Sequence, residues 1–210
     1  VVERAIGEKL TKEELGGWRM HVVESGQVDN VADTEAEAFE QIQKFLSFLP
    51  NTVHGTAPRV ETNDDPKRRP EELLNIIPTN RRQGYDARSL IRHVVDNGDF
   101  FEMRRHYASG VITGFARLDG FSVGVIGSDP LSKAGAMDGN GADKYAHFID
   151  LCDTFNLPLV IFLDMPGFML GSHAERMATM RRGARALIAS AECKVPKIEF
   201  MVRKSYGVAA

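Results

Sequence analysis

Two spacings of apolar residues divide the chain. After Thr34, the residues Phe39, Ile42, Phe45, Leu46 and Leu49 recur at helical intervals and so share one face. Thr34 and Glu37 have the spacing of a capping box, and Pro50 closes the run. Before that helix the chain reads as a glycine-punctuated loop region. Residues 50–80 contain Pro50, Pro58, Pro66, Pro70 and Pro78 among many charges, and no element is predicted there. So long a stretch without structure reads as a linker or an irregular wrapping arm between two domains.

From about Tyr85 the spacing becomes that of an α/β protein. Residues 89–95 predict a short helix, and 100–107 a helical or extended segment. Residues 111–118 and 121–127 read as two strands joined by a turn at Asp119-Gly120. Tyr145, Phe148, Ile149, Cys152 and Phe155 then fall on one helix face. Residues 157–163 (LPLVIFL) are apolar almost throughout, as expected of a strand buried on both faces. A helix from about Ala174 to Ala191 and a strand over 197–203 complete the pattern. This alternation predicts a layered α/β fold with much parallel pairing, and no internal repeat is visible.

A hydrophobic content of 43% supports a substantial core, and a net charge of −3 offers no basic excess for nucleic acid. The basic cluster at Lys67, Arg68, Arg69, Arg81 and Arg82 is diluted by Asp64, Asp65, Glu71 and Glu72, so it reads as solvated linker. Cys152 and Cys193 have neither metal-ligand nor CxxC spacing, which points to a reducing compartment. Cys152 is expected to be core packing. No apolar run reaches the roughly 20 residues that span a bilayer, so no membrane segment is expected. The first residues lack a signal-peptide layout and an initiator Met, and the last, Val208-Ala209-Ala210, interrupt a strand-to-helix turn. Both ends read as cut from a longer chain.

Candidate chemistry sits at two strand ends. In Asp164-Met165-Pro166-Gly167-Phe168-Met169-Leu170-Gly171, the glycines allow backbone N–H groups to face a ligand, or serve the turn alone. Asp164 is expected to bond loop N–H groups rather than act as a base. In Arg203-Lys204-Ser205-Tyr206-Gly207-Val208-Ala209-Ala210, small residues after a strand can open an anion or oxyanion site, or form a plain turn with two solvated cations. Nucleophile-elbow, zinc-protease and phosphate-loop motifs are missing. The six histidines have no metal spacing. His147 reads as helix surface or packing, and His173 as a minor candidate beside the glycine loop.

In combination these motifs are more specific. DMPGFMLG, preceded by Lys144, Phe148-Ile149, Cys152-Asp153 and Phe155-Asn156-Leu157-Pro158-Leu159 and followed by RKSYG, resembles the carboxyltransferase (beta) subunit of biotin-dependent acyl-CoA carboxylases. Glu14-Leu15-Gly16-Gly17, His21, Ser25-Gly26, Asp29, Tyr85-Asp86-Ala87-Arg88 and the segment 111–118 match in the same order, so the resemblance covers essentially the whole chain.

The resemblance implies a crotonase-like (ClpP/crotonase) α/β fold and parts of two homologous domains. Residues 1–50 would end the N-terminal domain, 51–80 would link, and 81–210 would begin the C-terminal domain. It implies transfer of a carboxyl group from carboxybiotin to the α carbon of an acyl-CoA. The biotin would be carried on another domain or subunit and charged by a separate biotin carboxylase. It further implies a homo-oligomer with active sites between subunits, in the cytoplasm or, in a eukaryote, the mitochondrial matrix. The backbone N–H groups of Val208 and Ala209 correspond to the family's oxyanion site for biotin, and Gly167, Phe168, Gly171, Tyr206 and Gly207 to substrate-binding positions. Val208 stands where the family has glycine, and Met169-Leu170 and Ser172-His173 also depart from many members. Glycines at the thioester side, and most of the CoA surface, belong to sequence outside this chain, so the fragment is expected to be inactive alone. Ala136-Met137-Asp138 is only an echo of a biotinylation site. A decarboxylase subunit of the glutaconyl-CoA type and a non-catalytic scaffold subunit are the alternatives.

Overall fold

A computed structural model describes residues 2–209. Five strands form one sheet in sequence order: β1 (Phe101–Met103), β2 (Val111–Leu118), β3 (Phe121–Ser128), β4 (Leu159–Met165) and β5 (Lys197–Ser205). β1, β2 and β3 pair antiparallel, and β3, β4 and β5 pair parallel. The helices are α1 (Val2–Ile6), α2 (Lys12–Gly16), α3 (Glu35–Ser47), α4 (Leu73–Ile76), α5 (Ala87–Val94), α6 (Gly139–Thr154), α7 (Ser172–Arg176) and α8 (Thr179–Glu192), with a π-helical turn at Met20–Glu24.

The hairpin between β2 and β3 follows from its turn. Asp119 and Gly120 both have left-handed backbone (φ 50° and 77°), which a two-residue hairpin loop matched to strand twist requires. Alternation then sorts side chains to the two faces of the sheet. Val111, Phe115, Leu159, Ile161 and Leu163 pack with α6 and α8 on one face. Ile112, Ala116, Val123, Val125, Val160 and Phe162 pack with α5 on the other. β4 is buried throughout, as its apolar run predicts. Gly124 has a packing reason: a Cβ there would lie 2.4 Å from Cys152 Sγ. Cys152 is fully buried, and burial pushes its thiol pKa up, which makes it core and not a nucleophile.

Four expectations need correction. The loop region before residue 34 contains α1, α2 and the π turn; Thr11 and Glu14 form a complete capping box at α2 (3.1 and 2.8 Å). At α3 the box is displaced, because Thr34 accepts from Glu37 N–H (3.2 Å) while Glu37 accepts from Asp33 N–H (2.9 Å). The apolar face of α3 is buried only toward its C-terminus. Phe45 packs on Phe115, and Phe48 and Leu49 are buried just beyond the helix, whereas Phe39, Ile42 and Leu46 are exposed. The single helix expected over 174–191 is broken at Ala178, which is left-handed (φ 53°). Thr179 Oγ1 donates to Ala174 O across the break (2.9 Å).

Residues 51–80 contain one short element, α4, and lie against the α/β body. Val60 N–H donates to Gly120 O (3.0 Å), and Asn156 Nδ2 donates to Val53 O and Gly55 O (2.8 and 3.0 Å). Arg68, read above as solvated, donates to His93 O and Val95 O (2.6 and 2.8 Å) and pairs with Asp64 (2.6 Å). It thereby satisfies carbonyls at the C-terminal end of α5.

Lys144 on α6 is fully buried, and its Nζ donates to Arg104 O (2.8 Å) and Tyr107 O (2.9 Å), holding the β1–β2 connection. Burial lowers its pKa from an ordinary 10.5 to about 7; Glu102 and Asp129 oppose the shift, while Arg88 and Arg104 add to it. Two acceptors match the two hydrogens of a neutral amine. Between about pH 7 and 10.5 the unfolded chain holds the extra proton, so stability rises with pH across that window, falls as pH drops from 10.5 toward 7, and levels off below 7, where both states are protonated. The thermal midpoint is therefore expected to climb from pH 7 to 9 relative to that of Lys144→Met. Equal pH slopes in the two proteins would refute this.

Candidate active site at the carboxyl ends of three parallel strands

In an open parallel sheet, ligands bind beyond the carboxyl ends of the strands. Here the loops following β3, β4 and β5 meet at that edge. Met137 N–H donates to Gly167 O (3.1 Å) and Met169 N–H donates to Met137 O (2.8 Å), which zips the loop after β3 to the loop after β4. Tyr206 N–H donates to Met165 O (3.2 Å), which ties the loop after β5 to the end of β4.

Six of the seven sequence-predicted site residues are brought together. Gly167 is left-handed (φ 117°), and a Cβ there would lie 3.2 Å from Tyr206 O. The Phe168 ring turns inward against Gly183, where a Cβ would approach it to 2.5 Å. Phe168, Val208 and Ala209 share the lining of a cavity of ≈ 160 Å³ with Met165 and Tyr145. Tyr206 is exposed beside them. Gly207 (φ 72°) turns the chain between Tyr206 and Val208, and a Cβ there would meet nothing. Gly171 lies apart: it precedes α7 (φ 107°) with open space around its Cα.

Among the described residues, the N–H groups of Gly207, Val208 and Ala209 donate to no protein acceptor. Val208 is 67% exposed, so it stands at the open rim of the cavity it helps to line. His173 and His147 are exposed; partial desolvation of the His147 ring by its neighbours lowers its pKa, with Arg104 adding to the effect. Neither touches these loops in any hydrogen bond among the described residues. No group of three or more His, Cys, Asp or Glu side chains able to hold a metal occurs among the described residues.

Asp164 departs from expectation. It does not bond loop N–H groups. It is fully buried, and its Oδ2 accepts from Arg203 Nε (3.1 Å) and pairs with Nη2 (3.0 Å), while Lys204 Nζ lies 3.6 Å from Oδ1. Arg203 and Lys204 are thus paired cations, not solvated ones. Beside them Tyr85 is buried, which pushes its phenol pKa up, and the Asp164 charge pushes it further. The sequence reading also missed Gly135. Its left-handed backbone (φ 84°) packs so closely on β4 that a Cβ would lie 2.3 Å from Asp164 O.

A model of the carboxyl transferase domain family matches residues 1–210. The chain belongs to the carboxyl transferase family. It is 42% identical over 207 residues to the methylmalonyl-CoA decarboxylase subunit alpha of Veillonella parvula, covering 99% of this chain and 41% of that one. It is 40% identical over 207 residues to the methylmalonyl-CoA carboxyltransferase 12S subunit of Propionibacterium freudenreichii subsp. shermanii, covering 99% and 39%. Among solved structures it is similar to the transcarboxylase 12S hexamer with methylmalonyl-CoA and methylmalonic acid bound. The TM-score is 0.91 and the identity 39%, covering 94% of this chain and 38% of that one. The fold is crotonase-like, as in these carboxyl transferases. The chain spans about two fifths of the length of these relatives.

Proposed function

We propose that this carboxyl transferase chain carries the biotin-facing half of an active site that moves a carboxyl group from carboxybiotin to the α carbon of an acyl-CoA. The observation that supports this most directly is the run of unpartnered N–H groups at Gly207, Val208 and Ala209, beside the Gly167 loop at the carboxyl ends of β4 and β5. Biotin, when bound, supplies a carboxyl carrier whose ureido oxygen gathers negative charge as CO2 is released. The open edge fits such a group, because nothing crowds Gly207 and the donors beyond it have no protein partner.

In this reading the Val208 and Ala209 N–H groups donate to that oxygen. Fixed donors aimed at developing charge need no reorganisation, and the α proton would pass to the biotin left after release of CO2, so a side-chain base is not required of this chain. Phe168 seats the loop after β4 in the core, and Gly167 allows Tyr206 to approach. Residues 1–50, 51–80 and 81–210 are read as domain end, linker and domain start. Sequence outside the chain supplies the thioester half, in a homo-oligomer, and leaves this piece inactive alone. Biotin carboxylase and biotin carrier are separate partners, in the cytoplasm or a mitochondrial matrix. No described helix is long and apolar enough to cross a membrane.

The similarity to a methylmalonyl-CoA decarboxylase subunit favours a second reading, in which the same half-site runs carboxyl transfer toward biotin. The exposed side chain and free N–H of Val208 weaken the scaffold reading. The test is decarboxylation of malonyl-CoA and methylmalonyl-CoA by the full-length subunit with free biotin as acceptor. Biotin-dependent turnover is expected. None with either thioester, in an intact oligomer, would count against both directions of transfer.

A further inference from the structure

We propose that Asp164 is a positioning residue of this site, holding Arg203 and Lys204 on one buried carboxylate so that residues 205–209 are fixed over the end of β4. The inference rests on the reading of that loop as the biotin-facing half-site.

The pairing of β4 with β5 carries this inference. Leu163 pairs with Met201 and Met165 with Ser205, so a step of two residues along β4 is matched by four along β5. β5 therefore bulges opposite Asp164. In a regular strand Arg203 and Lys204 would point to opposite faces. The bulge lets both turn to the same carboxylate: Arg203 through Nε and Nη2 at Oδ2, Lys204 toward Oδ1 at 3.6 Å. Bulges cost ladder hydrogen bonds and re-aim side chains beside functional sites, so this one needs something to hold it. The carboxylate does so, for without it two cations would be left close together. The Arg203 side chain is only 9% exposed, and an unpaired charge in such a place is strongly destabilising.

The same cluster reaches the surrounding loops. Lys204 Nζ donates to Ala134 O (2.7 Å) and Arg203 Nη1 donates to Gln83 O (2.8 Å), with the guanidinium 5.1 Å from the Tyr85 ring centre. The chain resumes pairing at Ser205, Tyr206 N–H bonds Met165 O, and the free donors follow at once. Where the bulge sits therefore decides where the Val208 and Ala209 N–H groups stand. Asp164 is enclosed by its cations with no exposed surface, so it acts through the loop and not as a base.

The test is Asp164→Asn in the full-length subunit, which keeps shape and removes charge. Amide hydrogen exchange is read over 203–209 and, as reference, over β3 and α6, alongside turnover with free biotin. Exchange over 203–209 is expected to quicken at least about tenfold with the reference segments unchanged. The KM for biotin should rise while that for acyl-CoA stays within about twofold of wild type. Lys204→Met should show the same pattern more weakly, and it decides the matter if Asp164→Asn does not fold. Unchanged exchange over 203–209 would overturn the proposal, as would acceleration spread equally over β3 and α6. Wild-type turnover tests the functional reading separately: its absence would sink that reading, while the exchange pattern still decides whether Asp164 holds the loop.

Discussion

Truncation of Phe115 to alanine is expected to quicken amide exchange in β2, β3 and α6 by roughly 10²- to 10⁴-fold in the full-length subunit, for a loss of about 3–5 kcal/mol. Phe115 has no exposed surface. Its ring stacks on Phe48 (5.6 Å between centroids), meets Phe45 edge-on (5.7 Å) and leans on Phe148 (5.2 Å). One side chain on β2 thus joins the end of α3, the sheet and α6, and the void left by alanine would be lined by three rings unable to close it together. Phe121→Ala is the matched control, since that ring is 52% exposed at the hairpin under Arg59 and should change exchange little. Similar effects from the two truncations would show that the aromatic cluster does not govern the opening of the sheet.

The same contacts show why some elements were legible from sequence. β2 and β3 were readable because the signals are local: two apolar runs and a turn whose two residues tolerate positive φ. β4 was readable because burial on both faces leaves no polar position from Leu159 to Leu163. β1 is three residues long, too short for a period-two pattern to separate it from a helix. The break at Ala178 left the apolar periodicity intact, so periodicity alone could not expose it. Phe39, Ile42 and Leu46 mark a helix correctly but say nothing of what covers its face.

For the candidate site, the glycine loops at two strand ends pointed to the right edge of the sheet. What they could not give was the partner of Asp164. Arg203 lies 39 positions away, and only the β4–β5 register, with its bulge, brings Arg203 and Lys204 to one carboxylate. Lys144 was invisible for a different reason. A lysine on a helix reads as surface, and its burial depends on carbonyls presented by the left-handed turn at Arg104 and the following residues. Gly135 likewise has meaning only once its approach to the Asp164 carbonyl is known.

A substitution at Val208 tests whether the main chain performs the chemistry. Val208→Pro removes one N–H from the proposed oxyanion site, and loss of one such donor typically lowers turnover by about 10²- to 10³-fold. The preceding Gly207 is left-handed (φ 72°), and a Cβ there would meet nothing. Val208→Ala keeps the N–H and trims only an exposed side chain, and its loss should be far smaller. Free-biotin-dependent decarboxylation by the full-length subunit would separate the two variants through kcat. The KM for acyl-CoA should stay put, because the thioester half-site is read as lying outside this chain. If proline and alanine lowered kcat alike, the side chain rather than the donor would matter, and the assignment of charge stabilisation to this backbone would fail. A proline-specific loss would instead explain how a site lacking a histidine, a metal cluster or a nucleophile among its described residues can sustain carboxyl transfer.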